Sequence, residues 1–156
     1  MTQEQLLLCK QDCLEVYKEY LCEESLDAIN KAATPEEFVR ILHQFAIFLA
    51  YKAIPKADWV RKWFNNEKDL LNQCGVYLDQ IVSVNNPKEK SIVLLGMSDM
   101  QLLLSDADIW NVTVQDDSQL KLVLQGVVSC NVREKGTKET QIVYKDRFSR
   151  VKIRRV

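Results

Sequence analysis

At 156 residues and 18.1 kDa, with 47% apolar and 28% charged residues, the chain is long enough to bury a core and too apolar for disorder. Its 21 Lys and Arg against 22 Asp and Glu leave a net charge of −1, which excludes binding of nucleic acid through bulk positive charge. Four glycines and three prolines exclude a collagenous or low-complexity segment.

The first residues, Met1 to Gln5, carry no basic stretch, and the apolar run Leu6-Leu7-Leu8-Cys9 meets Lys10 at once, so no secretory signal is expected. The apolar stretch from Phe45 to Tyr51 is far shorter than the roughly 20 residues that cross a bilayer, and no membrane partner is expected. The five cysteines, Cys9, Cys13, Cys22, Cys74 and Cys130, are odd in number and form no CxxC pair. They read as reduced thiols on apolar faces of a cytoplasmic protein.

The N-terminal half has helical period. Across residues 3 to 22, Leu6, Cys9, Cys13, Val16, Tyr17, Tyr20 and Leu21 recur at intervals of three and four and share one face. Ser25 is placed to cap a short helix through Ala32. At Thr34-Pro35-Glu36-Glu37 the sequence spells a capping box with proline at the first helical position, where its missing N–H leaves nothing unpaired. The helix that starts there carries Phe38, Ile41, Leu42, Phe45, Phe48 and Leu49, is apolar around most of its circumference, and is expected at the centre of the half, ending at Ile54-Pro55. Two shorter helices follow, over about 56 to 65 and about 67 to 74, the second closed by Gly75.

From Tyr77 the period changes. Residues of the turn-forming set recur every ten positions at Asn86, Gly96, Asp106, Asp116, Gly126, Gly136 and Asp146. After most of them an alternating apolar triplet follows: Met100, Leu102, Leu104; Trp110, Val112, Val114; Leu120, Leu122, Leu124; Thr140, Ile142, Tyr144. The copy after Gly126 keeps Cys130 and Val132 but has Glu134 third. This is a repeat of strand plus turn with an apolar inner face. In a two-residue hairpin at 105 and 106, Leu104 would face Ala107, so the inner faces would not match. Stacking residue i on i+20 keeps the parity, which favours a short β-solenoid over the alternative, an antiparallel meander packed on the helices. Val151 and Ile153 are odd-numbered, a one-residue slip that implies a bulge or a terminal cap.

The repeat is carried by Asp116-Asp117-Ser118-Gln119-Leu120-Lys121-Leu122 and, less fully, by Asp146-Arg147-Phe148-Ser149-Arg150-Val151-Lys152. In style it resembles small bacterial and phage proteins whose C-terminal halves repeat Asp/Gly-x-Ser/Ala-x-Val-x-Val. The resemblance covers at most residues 76 to 156 and implies no activity and no binding residue.

Residues for chemistry are few. His43 is the single histidine, and without a second histidine or a CxxC pair neither a metal site nor a Cys–His nucleophile has its usual spacing. Asp106, Asp108, Asp116 and Asp117 read as turn formers, and no phosphate loop or dinucleotide fingerprint occurs. No cofactor, metal or catalytic residue is expected. Two surfaces stand out instead. One is the short helix with Trp59 and Trp63 four apart beside Arg61 and Lys62, either a buried pair or an aromatic-basic contact surface. The other is the tail, where Arg147, Arg150, Lys152, Arg154 and Arg155 form a basic strand that either shields a sheet edge or meets phosphates.

The expected chain is therefore α+β, a helical domain over 1–75 and a repeat-built β domain over 76–156. The expected role is that of a non-enzymatic, intracellular protein-binding protein, of the kind represented by phage-type inhibitors and toxin-neutralising partners. The alternative is a nucleic-acid-associated module using the basic C-terminal strand, and self-association into a homo-oligomer is compatible with either.

Overall fold

The computed structural model describes residues Met1–Val156. Five helices, α1 (Gln3–Tyr17), α2 (Glu23–Lys31), α3 (Pro35–Phe48), α4 (Ala57–Phe64) and α5 (Lys68–Gln73), precede nine strands. Thr34 Oγ1 accepts from the Glu37 amide at 3.2 Å while Glu37 Oε2 accepts from the Thr34 amide at 3.3 Å, which is the capping box read from the sequence. Two boundaries move. The first helix stops at Tyr17 and tightens into a 3-10 turn over Lys18–Tyr20. The second starts at Glu23 behind Cys22, because the Ser25 hydroxyl turns to the Cys22 thiol at 3.2 Å instead of capping the helix. On the central helix Phe38, Leu42 and Phe45 are buried as expected, but Phe48 is exposed in its last turn, and the helix ends there, ahead of Ile54-Pro55.

The strands are β1 (Val76–Leu78), β2 (Ile81–Asn85), β3 (Ser91–Leu95), β4 (Asp99–Leu104), β5 (Ile109–Asp116), β6 (Gln119–Leu124), β7 (Ser129–Gly136), β8 (Gln141–Lys145) and β9 (Arg150–Arg155). They alternate between two parallel sheets, ordered β1-β3-β5-β7-β9 and β2-β4-β6-β8, which together form a β-solenoid of about four turns. In the middle coils residue i lies beside i+20, as in Met100↔Leu120 and Val112↔Val132. The chain is therefore α+β with a solenoid and not a meander. The ten-residue interval has a simple origin: each coil has two strands and two corners, so the turn residues form two columns, 86-106-126-146 and 96-116-136. The columns bond from coil to coil. The Gly96 amide donates to Asp116 Oδ2 at 3.0 Å, the Gly126 amide to Asp146 Oδ2 at 2.5 Å, and Asn86 Oδ1 accepts from the Ser105 amide at 2.8 Å.

The serine of the repeat also gains a role. Ser118 Oγ donates to the Gly96 carbonyl at 3.2 Å and Ser149 Oγ to the Gly126 carbonyl at 2.9 Å, each satisfying a corner carbonyl of the coil below. All nine residues of the triplets from Met100 to Leu124 are buried in the solenoid interior. The triplet after Gly136 departs from expectation, because Ile142 and Tyr144 are exposed. The register shifts between Leu122 and Val123, where Ile142 and Tyr144 are successive partners and Val143 is left over as a bulge. That extra residue produces the slip that puts Val151 beside Cys130 and Ile153 beside Val132.

A second core lies between the helices and the outer face of the first sheet, where Phe38, Leu42, Val60, Phe64 and Leu71 cluster with Val76, Leu78, Val93 and Leu95. All five cysteines are free, four of them buried and Cys22 exposed, so Cys22 stands outside the apolar face expected for it. Burial raises the thiol pKa of Cys13 and of Cys130 to about 12, and these thiols stay protonated and unreactive. Titration of the native protein with a thiol reagent is expected to show one fast thiol, with the other four reacting only on unfolding. A second fast thiol, or a disulfide in the non-reduced chain, would contradict this packing.

Candidate functional site

The tryptophan helix is turned inward. Trp59 and Trp63 both aim their indole N–H groups at one acceptor, Asp12 Oδ2 of α1, at 2.8 and 2.6 Å, and Lys62 Nζ joins them at 3.0 Å. Burial opposes ionisation of Asp12, but the hydrogen bonds from Trp63, Lys62 and Trp59 outweigh it and hold the carboxyl below its ordinary pKa. Arg61 is occupied as well: its Nε and Nη2 meet Asp79 at 2.7 and 3.0 Å, and it also pairs with Asp58. These four residues tie α4 to α1 and to the first corner of the solenoid. Sequence reasoning missed Asp12 and Asp79 because their partners lie far away in sequence.

His43 is also spoken for. Its Nε2–H donates to the Ser91 carbonyl at 3.0 Å, and burial lowers its pKa, so the ring is a neutral link between α3 and β3. No group of three or more His, Cys, Asp or Glu side chains is arranged to hold a metal ion.

The basic tail is divided by strand alternation. Arg155 lies beside Glu134 and pairs with Glu134 and Glu139. Arg147 sits at the last corner with its guanidinium 4.6 Å from the Phe148 ring centroid. Arg150, Lys152 and Arg154 share the outer face of the first sheet and form no ion pair. Each ends a row across the sheet: Ile109-Ser129-Arg150, Ser91-Asn111-Asn131-Lys152 and Val93-Thr113-Arg133-Arg154. The second and third rows border a depression of about 320 Å³ lined by Ile47, Asn111, Asn131, Arg133, Lys152 and Arg154 among others, with no carboxylate in its lining. The neighbouring rows are held in place, since Asn131 Nδ2 donates to Asn111 Oδ1 at 3.3 Å and Arg133 Nη1 donates to the Ile47 carbonyl at 2.8 Å.

The last coil is open. β9 ends the five-stranded sheet and β8 the four-stranded one, and no element packs on either edge. Ile142, Val143, Tyr144, Phe148 and Ile153 are 46, 59, 51, 56 and 40% exposed on this last coil, whereas Leu122 and Val132, the partners of Ile142 and Ile153 in the coil below, are buried. Val127 and Ile109, both exposed, extend this surface along one corner through a shallow apolar depression beside Phe148. Solenoids ordinarily close such ends with a polar capping element. The site thus combines apolar area, free backbone groups and three uncompensated cations. No helix is long and apolar enough to cross a membrane.

Comparison with protein-family models, with curated proteins and with solved structures returns no match to this chain.

Proposed function

We propose that this is a non-enzymatic, cytoplasmic protein-binding protein that engages its partner at the open C-terminal end of the solenoid. The observation that carries the reading is the exposure of Ile142, Val143, Tyr144, Phe148 and Ile153 on a coil that nothing covers. An inhibitor or toxin-neutralising partner is the biological setting that suits such a protein. The helical half serves the fold in this reading: Trp59, Trp63 and Lys62 are engaged with Asp12 and Arg61 with Asp79.

The second reading, a nucleic-acid-associated module, is favoured by one observation, the row Arg150, Lys152 and Arg154 without carboxylate partners. The face they share carries asparagines and a threonine instead of the aromatic platforms on which single-strand binders stack bases.

Affinity capture at about 50 mM and about 200 mM salt separates the two, because phosphate contacts weaken steeply over that range and an apolar interface does not. A protein retained at both salt levels by the wild type and lost from an Ile142→Lys, Tyr144→Lys double variant is the expected result. Oligonucleotide binding that collapses at the higher salt and disappears in the Arg150→Ala, Lys152→Ala, Arg154→Ala triple variant would transfer the protein to the nucleic-acid class.

A further inference from the structure

We infer that the partner element is an extended strand added to the free edge of β9, with acidic and apolar side chains in alternation. The inference rests on the protein-binding reading above and names what the open end recognises.

The backbone supplies the first argument. The Arg150 amide donates to the Val128 carbonyl at 2.7 Å and the Val156 amide to the Glu134 carbonyl at 2.9 Å, so the even-numbered residues of this strand bond to β7. Backbone groups alternate sides along a strand, which turns the N–H and C=O groups of Val151, Ile153 and Arg155 away from β7. β9 is the edge strand of its sheet, with β7 on its other side. Three donors and three acceptors thus stand ready for main-chain pairing, the arrangement used in strand addition.

The side chains supply the second. Val151 and Ile153 continue the inner columns of Cys130 and Val132, so the inward side chains of an added strand complete the solenoid core and must be apolar. Its outward side chains fall about 5 Å from Arg150, Lys152 and Arg154, where like charge is repelled and carboxylates are attracted. Arg133 adds a fourth cation in the next strand, and the lining of the depression beside them holds no acid. The same charges exclude a second copy as the occupant. Antiparallel pairing about Lys152 sets Arg150 against Arg154, and parallel pairing sets each cation against itself.

The probe is a blocked six-residue peptide of alternating glutamate and valine, the length of β9, read by amide exchange in the full chain. The Val151, Ile153 and Arg155 amides are expected to slow by at least about tenfold at saturating peptide. A peptide of alternating lysine and valine is expected to leave them unchanged. Ile153→Pro removes the central outward donor without touching a bond to β7, so it should abolish the protection while Tm holds. Lys152→Glu with Arg154→Glu should reverse the preference between the two peptides. Equal protection by both peptides, protection by neither, or a dimer whose β9 amides are already slow without peptide would overturn the inference. If the peptides fail while Ile142→Lys with Tyr144→Lys still abolishes capture of a protein partner, the strand is wrong and the binding end stands. If capture survives those end substitutions, the binding end itself is wrong.

Discussion

Leu122→Ala is expected to destabilise the protein by about 2–5 kcal/mol, a fall in Tm of about 10 °C, with the far-ultraviolet spectrum at low temperature unchanged. Leu122 is fully buried, stacked on Leu102 below and beside Ile142 above, at the centre of the solenoid interior. Its methyl groups are surrounded by columns that bond coil to coil, so the walls have little freedom to close over the cavity. The neighbouring Val123 points to the outer face and is only half-buried, and Val123→Ala should cost less than about 1 kcal/mol. A pair of similar effects at 122 and 123 would mean that the inner and outer faces are assigned wrongly.

Asp12→Ala is expected to cost about 3 kcal/mol, because a single carboxylate oxygen accepts from Trp59, Trp63 and Lys62 and its loss strands two indole N–H groups, one of them on a buried ring. Asp12→Asn retains an acceptor and should recover part of the loss. The pH dependence has a definite sign. The folded pKa of Asp12 is depressed, so its contribution is fully present above the ordinary aspartate value of about 3.9 and is lost as pH falls through the folded value. Asp79 and Asp146 are depressed as well, Asp79 chiefly by the hydrogen bonds from Arg61 and Asp146 chiefly by the Gly126 amide, and they add to the same acid limb. Thermal midpoints of Asp12→Asn should therefore fall less steeply than those of the wild type below about pH 4. Parallel acid limbs in the two proteins would show that Asp12 carries no depressed pKa.

Much of this fold was legible because the controlling physics is local or periodic. Thr34, Pro35 and Glu37 specify a helix start among themselves, and the ten-residue spacing of turn formers, joined to the parity of the apolar triplets, separates a stacked coil from a hairpin. Even the slip at Val151 and Ile153 is visible before its cause, the bulge at Val143, is known. What escaped depends on distance or on the absence of a neighbour. Asp12 is 47 and 51 residues from the indoles that it binds, and nothing in its local sequence marks it as an acceptor. Ile142 and Tyr144 have the pattern of core residues, yet no coil lies above Ile142, and the bulge at Val143 sets Tyr144 beside the outward-facing Val123. Phe48 follows the helical period but falls in the last turn, beyond the apolar cluster. In the tail, alternation alone distinguishes Arg150, Lys152 and Arg154 from Arg155, and only the register with β7 reveals that Glu134 is waiting for the latter.

Hydrogen exchange of the whole chain, free and in complex with the protein partner captured by its wild-type form, tests the binding end most directly. Protection confined to β8, β9 and the corner around Val127 and Phe148, with the helices unchanged, is the predicted result. Protection centred on α1 and α4, with β8 and β9 exchanging as in the free protein, would contradict it.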